Sequence, residues 1–306
     1  MRLNSDMTQA SVVTIGVFDG VHHGHAALLQ TTIDLAATEG LAPAAVTFNP
    51  HPKSVLRGVD VPMLTTVARR TRLLQQRGIE RVHVCAFDQA RSQQSPEDFI
   101  AEVLIGEMGA RIVVIGSGFR FGKGAAGNAQ TLRDAGLIVH ELPIVEAEGA
   151  RVSSSRIRDL VAAGDVVTAQ ELLGRPHRLE GVVVHGNARG RDIGYPTANL
   201  GVSEEQLIPA DGVYAGWLVR GEVAHGFDGD AVLPAAISIG TNPTFDDVTE
   251  RRVEAYVLDR TDLDLYGEYV AFDFHARIRG TEKFDGVEPL LAAMARDVAT
   301  ARTLLT

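Results

Sequence analysis

The chain has 306 residues, which is more than a single hydrophobic core usually organises, so we expect two domains. Hydrophobic residues make up 45% of it and charged residues 22%, a composition typical of globular proteins. The formal net charge of -10 argues against a nucleic-acid-binding protein, because such proteins carry a basic surface. An anionic substrate would therefore need local help from glycine loops, helix N-termini, a metal ion or a few well-placed arginines.

The remaining global features predict a cytoplasmic protein with no membrane role. The single cysteine, Cys85, excludes an intrachain disulfide and is typical of a reducing compartment. It lies in an apolar run and is expected to be a buried strand residue rather than a nucleophile. No apolar stretch reaches the ~18 residues of a membrane-spanning helix, and the first residues lack the apolar core of a signal peptide.

The first half of the chain alternates short β-branched runs with helical patterns, which predicts a parallel sheet covered by helices on both faces. Ligands in such sheets bind at the carboxyl ends of the strands. The predicted strands are 11–17, 43–48, 81–87, 111–116 and 137–141. The predicted helices are 24–39, 65–78, 96–108 and 128–135.

The first predicted strand is followed by the motif Gly16-Val-Phe-Asp-Gly-Val-His-His-Gly-His25. A strand, a glycine-bearing turn and a helix start form a natural anion site, because unpaired N–H groups and the positive helix end face the loop. His22 and His25 are three residues apart and would share one helical face. A histidine near a helix start is more often a surface or capping residue, but the two histidines with Gly24 between them favour a nucleotide-phosphate site.

Three later segments of this half also follow strand ends or open a helix. Asn49 and His51 lie in a proline-rich turn over 48–52, which alone indicates no more than a turn. The loop 116–124 is rich in glycine and could pack a planar ligand or form a flexible hairpin. The serines of 152–158 can cap a helix, with Arg158 pointing back to a phosphate at its start.

Together these four segments resemble the signatures of the adenylyltransferase module of bacterial bifunctional riboflavin kinase/FAD synthetases, members of the H-x-G-H nucleotidyltransferase group. The resemblance implies that His22 and His25 contact ATP phosphates and steady the departing pyrophosphate, while Ser154, Ser155 and Arg158 close the other side. It also implies ATP-side roles for Gly16, Phe18, Asp19 and Gly24, and flavin-side roles for Asn49 and Phe119.

Two residues depart from the family pattern. Ser155 stands where the family usually has threonine, which keeps the hydroxyl group. Gly118 stands where many members have aspartate or asparagine, which puts a flavin-side or loop-ordering polar contact in doubt.

The second half changes to strands and turns after two short linker helices within 159–178, so the predicted domains are 1–178 and 179–306. Spaced strands with one terminal helix, at 287–304, suggest a small closed barrel with that helix packed on it. The strands predicted from the pattern are 181–186, 212–219, 233–239, 251–259 and 268–278.

Three clusters of this half can carry chemistry. The stretch 186–200 is a glycine- and arginine-rich flap that ends in Thr197 and Asn199, two neutral oxygen donors on one strand face. Glu254 alternates with apolar residues on a strand; it is either a solvated surface group or, beside the flap, a general base. The charged loop 277–284 is either a binding lid or ordinary surface before the last helix.

The run 194–199 closely resembles the riboflavin kinase module, together with 239–245, 253–254, 265–267 and 278–284. With the first half, the match covers roughly 12–304. That resemblance implies a six-stranded β-barrel, with Thr197 and Asn199 binding Mg²⁺–nucleotide and Glu254 activating the ribityl hydroxyl. The other implied residues are Gly190, Arg191, Gly194 and Pro196 at the ATP phosphates, and Arg279 and Phe284 at the flavin.

The predicted fold is therefore α/β, with an N-terminal Rossmann-like nucleotidyltransferase sheet and a C-terminal β-barrel kinase domain. The predicted function is phosphorylation of riboflavin to FMN with ATP and Mg²⁺, followed by adenylylation of FMN to FAD with release of pyrophosphate. One alternative is a flavin-binding regulatory protein with an inactive adenylyltransferase domain. Another is a nucleotidyltransferase acting on a different phosphate monoester, which the kinase half argues against.

Overall fold

A computed structural model gives the architecture and describes six stretches of the chain: 9–143, 146–147, 150–185, 194–221, 232–241 and 251–306. The chain forms two compact units. One unit runs to Val61 and continues over Thr65–Ser154, and the other comprises Pro62–Leu64 and Ser155–Thr306. The two linker helices thus group with the second unit, and the division at 178 and 179 remains a prediction.

The first unit is built on a five-stranded parallel sheet, as the alternating pattern predicts. The strand order is β3-β2-β1-β4-β5, so the chain moves outwards from β1 in both directions. The carboxyl ends of β1 and β4 therefore flank the crevice where such sheets bind ligands. The strands are β1 (Ser11–Ile15), β2 (Ala42–Asn49), β3 (Arg81–Ala86), β4 (Ala110–Gly116) and β5 (Ile138–Leu142).

Helices cover both faces of this sheet. Val13 and Ile15 of β1 pack in one buried cluster, whereas Val12 packs in another on the opposite face. Helical segments are present in all four predicted regions, and in the third, predicted over 96–108, a short α-helix continues as a π-helix over Ile100–Glu107. The helices are α1 (His23–Glu39), α2 (Pro52–Arg57), α3 (Val67–Gln76), α4 (Gln89–Ser92), α5 (Pro96–Phe99) and α6 (Ala129–Asp134).

Short elements lead out of the sheet. Strands β6 (Glu146–Ala147) and β7 (Ala150–Arg151) form an antiparallel pair. Helices α7 (Ser154–Ala163) and α8 (Val166–Leu173) follow. Val166 is fully buried within the core of the barrel described next, so α8 completes that core.

The second unit contains a closed six-stranded antiparallel barrel in the order β10-β11-β12-β9-β8-β13. The terminal helix α9 (Val287–Leu305) follows, and its Ala301 packs with Ala215 and Leu258. Alternate strand residues fill the barrel interior, as period-two patterning requires. The strands are β8 (His177–Val184), β9 (Ala198–Val202), β10 (Gly212–Arg220), β11 (Val232–Gly240), β12 (Arg252–Val257) and β13 (Tyr269–Arg279).

Candidate active sites

The loop between β1 and α1 holds the histidine motif in an unusual backbone conformation. Phe18 and Val21 have positive φ angles of 53° and 40°, although neither is glycine, and both side chains are fully buried. Such conformations cost about 1–3 kcal/mol each and persist only where surrounding contacts impose them. The loop is therefore held in place by tertiary contacts.

His22 and His25 lie together at the start of α1. His22 is the N-cap residue, and the two imidazole rings stack with their centroids 3.7 Å apart and an angle of 16° between planes. The first turn of α1 contains no acidic residue, so the positive end of the helix is not offset there. Two imidazoles beside a helix N-terminus form an arrangement suited to a polyphosphate.

Gly24 is required by the packing of this pair. A Cβ atom at this position would lie 3.1 Å from the His22 ring and 3.3 Å from the carbonyl oxygen of Val152. Both distances are tighter than ordinary van der Waals contact, so a side chain would displace the ring or the backbone. The glycine of the motif thus permits close approach of the segment that precedes α7.

That segment also contacts the loop through Ser154. The Ser154 hydroxyl donates a hydrogen bond of 2.9 Å to the backbone oxygen of Asp19, 135 residues earlier in the chain. The structure thereby brings Asp19, Gly24 and Ser154 to the histidine pair within one unit. Ser155 and Arg158, which are on α7, group with the second unit, and their role at the phosphates remains a prediction.

Thr65 is a residue of this site that sequence reasoning missed. The buried Asp19 carboxylate accepts hydrogen bonds from the Thr65 amide (3.1 Å) and hydroxyl (3.2 Å), while the Gly20 amide donates to the same hydroxyl (3.1 Å). These partners are 45 and 46 residues apart, so no local pattern points to them. The carboxylate of Asp19 thus shapes the loop rather than facing solvent.

The predicted flavin-side residues of this unit lie at the carboxyl ends of β2 and β4, the two strands that flank β1. Asn49 ends β2 and is exposed. His51 next to it is the N-cap of α2 and accepts a hydrogen bond from the Lys53 amide, so it has a structural role. The Phe119 ring, after β4, stacks on Phe121 with centroids 5.9 Å apart. Contact of Asn49 or Phe119 with flavin remains a prediction.

The structure explains why glycine is tolerated at position 118. Gly118 has φ of +74°, and a Cβ atom added there would meet nothing within 4 Å. Asparagine and aspartate are the other residues that adopt this left-handed conformation most readily. The backbone requirement at this position is therefore the same for all three residue types.

We predict that Gly118→Asn folds normally and binds FMN more tightly. An added side-chain hydrogen bond contributes about 0.5–1.5 kcal/mol, so the KM for FMN should fall roughly 2- to 10-fold. Steady-state FAD formation checks this value, with Gly136→Asn as the matched control, because Gly136 has φ of +85° and is equally open. Equal KM values in all three proteins would show that position 118 does not face the flavin.

The second site lies on the outer face of the barrel, on β9 and β12. Asn199 and Glu254 are directly paired across these strands, and the Thr197 hydroxyl donates a hydrogen bond of 3.4 Å to Glu254 Oε2. The neighbours of Glu254 on β12, Val253 and Ala255, point into the barrel core. The alternation expected from the sequence is therefore observed, and three oxygen-bearing side chains share one face.

Two features of these oxygens suit a cation with a neighbouring base. Among the described residues, the buried Oδ1 of Asn199 has no hydrogen-bond partner. Burial raises the pKa of Glu254, while Arg252 and the Thr197 hydroxyl oppose that rise. A half-buried carboxylate of raised pKa is better matched to proton abstraction from a hydroxyl than an ordinary surface glutamate.

Thr197 also lines a cleft in the second unit. Its walls include Pro196, Ala255, Val257 and Leu265, together with Arg260. The lining thus combines apolar side chains with polar ones, a combination that small-molecule sites use. Thr197 therefore borders this cleft and is also hydrogen-bonded to Glu254.

The other predicted site residues of the kinase half do not join the Thr197–Asn199–Glu254 cluster among the described residues. Gly190 and Arg191 lie outside the described residues, whereas Gly194 is described and exposed, with φ of +86°. The Arg279 guanidinium donates hydrogen bonds of 2.7 to 3.2 Å to the Asp297 carboxylate of α9. Its central carbon, Cζ, lies 5.6 Å from the centre of the Phe284 ring. The structure thus shows Arg279 anchoring α9. Contact of Arg279 with flavin remains a prediction.

Two families match the two halves of the chain. The FAD synthetase family matches residues 4–156, and the riboflavin kinase family matches residues 173–305. The bifunctional riboflavin kinase/FMN adenylyltransferase of Listeria monocytogenes is 35% identical over 95% of this chain and 91% of its own length. This chain belongs to the bifunctional riboflavin kinase/FMN adenylyltransferase family.

Further relatives carry the same name. The Bacillus subtilis protein is 34% identical over 94% of this chain and 90% of its own length, and the Escherichia coli K12 protein is 33% identical over 98% and 95%. The chain thus has riboflavin kinase and FMN adenylyltransferase activities, and neither the regulatory-protein nor the other-monoester alternative is favoured.

A solved structure from Streptococcus pneumoniae, titled a macrolide-efflux protein, shares the architecture. It is 34% identical, with a TM-score of 0.85 over 96% of this chain and 94% of its own. Within the described part of this family member, no helix is long and apolar enough to cross a membrane.

Proposed function

We propose that Glu254 is the general base of the kinase reaction and that ATP is the phosphoryl donor. The single observation that supports this best is the Thr197–Asn199–Glu254 cluster on one barrel face. The Glu254 carboxylate takes the proton of the riboflavin 5′-hydroxyl. The freed oxygen attacks the γ-phosphorus of ATP in line, the bond to the β-phosphate oxygen breaks, and FMN and ADP form.

We further propose that Thr197 and Asn199 hold Mg²⁺ with the nucleotide. The partnerless buried Oδ1 of Asn199 and the adjacent hydroxyl are the neutral oxygens that Mg²⁺ accepts alongside phosphate oxygens. When bound, the ion neutralises charge on the transferring group.

Loss of the Asn199 oxygen should weaken the metal site specifically. We expect Asn199→Ala to raise the Mg²⁺ concentration for half-maximal riboflavin phosphorylation by about 10-fold or more, whereas Asn199→Asp, which keeps an oxygen, should not. Titration of Mg²⁺ in the kinase assay measures the shift. FAD formation from supplied FMN by the same variants is the internal control, and an unchanged Mg²⁺ requirement in Asn199→Ala would contradict the assignment.

For the first unit we propose adenylyl transfer by positioning and charge neutralisation. The phosphate of FMN is already anionic near neutral pH, so no strong base is needed. Its oxygen attacks the α-phosphorus of a second ATP, the bond to the β-phosphate breaks, and FAD and pyrophosphate form. His22, His25 and Arg158 hold the phosphates and stabilise the charge that develops on the departing pyrophosphate.

We infer that both reactions take place in the cytoplasm, as the single cysteine indicates. Riboflavin, ATP and FMN are the proposed small-molecule partners. The net charge of -10 argues against a nucleic-acid partner.

A further inference from the structure

Arg70, in the third helix α3, is completely buried although it is an arginine. Its Nη1 donates a hydrogen bond of 3.0 Å to the carbonyl oxygen of Val17, and its Nη2 donates one of 3.1 Å to the carbonyl oxygen of Phe48. Arginine is rarely buried completely unless its donors have specific acceptors. Here one described acceptor lies in the histidine loop and the other near the end of strand β2.

Each acceptor leads into a loop to which the adenylyltransferase site was assigned. Val17 precedes the positive-φ residue Phe18 in the histidine loop, and Phe48 precedes Asn49 at the end of β2. The Arg70 guanidinium therefore links the proposed ATP side to the proposed flavin side. A planar fork of donors fixes both carbonyls in one geometry, which a single ammonium point charge cannot do as rigidly.

The N-terminal end of the same segment holds the next residues of the histidine loop. Thr65, five residues before Arg70, bonds to the Asp19 carboxylate and the Gly20 amide. Contacts at 65 and 70 thus support the loop on both sides of Phe18. The segment Thr65–Arg70 restrains a backbone that would otherwise relax from its strained conformation.

We propose that Arg70 is a positioning residue for adenylyl transfer, which sets the spacing between the loop that holds the ATP phosphates and the loop that holds the flavin. This inference rests on the proposed assignment of those loops. In-line attack needs the FMN phosphate oxygen and the α-phosphorus at near-contact distance, and small misplacements of reacting groups can reduce rates by about 10²-fold. Arg70 acts through the two carbonyls and contacts neither substrate.

The proposal predicts a loss in kcat rather than in binding. Arg70→Met removes the donors while keeping an apolar stem, and should lower kcat for FAD formation roughly 10- to 100-fold. The KM values for ATP and FMN should change less than about 3-fold, because each loop keeps its own substrate contacts. Arg70→Lys should lie between the parental protein and Arg70→Met, and riboflavin phosphorylation should be unchanged in both.

Ser11→Ala separates positioning from general destabilisation. The buried Ser11 hydroxyl donates 2.6 Å to the Met108 carbonyl at the amino end of β1, the opposite end of the strand from the histidine loop. Thermal midpoints of the full-length variants are compared alongside the rates. Parental kcat in Ser11→Ala, despite a lowered midpoint, is the expected result, and a kcat loss equal to that of Arg70→Met would overturn the proposal.

Two variants distinguish failure of the Arg70 inference from failure of the proposed adenylyltransferase site. If His25→Ala loses FAD formation while folded Arg70→Met keeps the parental kcat, the loop assignment survives and the Arg70 inference is wrong. If His25→Ala keeps FAD formation, the assignment of the site itself is wrong. Should Arg70→Met not fold, Arg70→Lys decides the matter, because parental kcat in that variant also overturns the inference.

Discussion

Glu254→Gln is expected to abolish the formation of FMN from riboflavin while FAD formation from supplied FMN stays at the parental rate. The amide cannot accept the hydroxyl proton, and removal of a general base lowers a rate by about 10²–10⁴-fold. The two activities are measured separately by chromatography of the flavins, once with riboflavin and once with FMN as substrate. Loss of both activities would count against separate sites.

A matched control uses the same chemical change elsewhere in the barrel unit. The Glu268 carboxylate forms hydrogen bonds of 3.0 and 2.7 Å with Arg220 and has no contact with the Thr197 cluster among the described residues. Glu268→Gln should keep FMN formation. If Glu268→Gln and Glu254→Gln were equally impaired, loss of a carboxylate from the barrel, and not loss of the base, would explain the result.

The raised pKa of Glu254 gives this assignment a pH signature. Because the base must be ionised, kcat/KM for riboflavin should fall with decreasing pH at a midpoint above ~4.3, the value of an ordinary glutamate. The folded state binds this proton more tightly than the unfolded chain does. Ionisation of Glu254 therefore costs stability above both pKa values, and Glu254→Gln should not lower the thermal midpoint at neutral pH.

His25→Ala should give the opposite pattern, with FAD formation lost and riboflavin phosphorylation retained. Removal of one preorganised group that stabilises developing charge lowers a rate by about 10²–10³-fold. The stacked geometry supports the assignment, because the His22 and His25 rings, 3.7 Å apart, are placed side by side at the start of α1. Pyrophosphate release that depends on FMN is the direct measurement.

His23 provides the control within the same motif. It lies between the two stacked histidines in sequence, but its side chain is exposed. His23→Ala should therefore form FAD at the parental rate. If His25→Ala also did so, the interpretation of the motif as a phosphate clamp would be wrong.

The regular parts of the fold could be predicted from local sequence because local patterns determine them. All five strands of the parallel sheet were predicted, since their β-branched runs are bounded by turn residues. Strand β9 was not found by pattern, because five residues that include Asn199 and Gly201 give a weak strand signal. Helix α2 was also missed, since its cap is the side chain of His51 rather than that of a usual capping residue.

The site residues likewise fall into those that a local motif identifies and those that only the tertiary fold brings together. The histidine motif and the Thr197–Asn199 run are short, so sequence alone could single them out. Arg70 bonds to a carbonyl 53 residues away, and Arg279 bonds to Asp297 18 residues along the chain. Such contacts follow from the tertiary fold, and no periodicity or spacing in the sequence predicts them. The sequence therefore singled out the residues proposed to contact substrates, but not the residues that support the loops on which they lie.

The central claim is that one chain carries two sites that act in sequence on the same flavin. The parental protein, incubated with riboflavin, ATP and Mg²⁺, tests it most directly when flavins, ADP and pyrophosphate are quantified over time. We predict that FMN appears first, that FAD follows after a lag, and that each FAD formed is accompanied by one ADP and one pyrophosphate. Recovery of unchanged riboflavin, or accumulation of FMN without any FAD, would contradict the account.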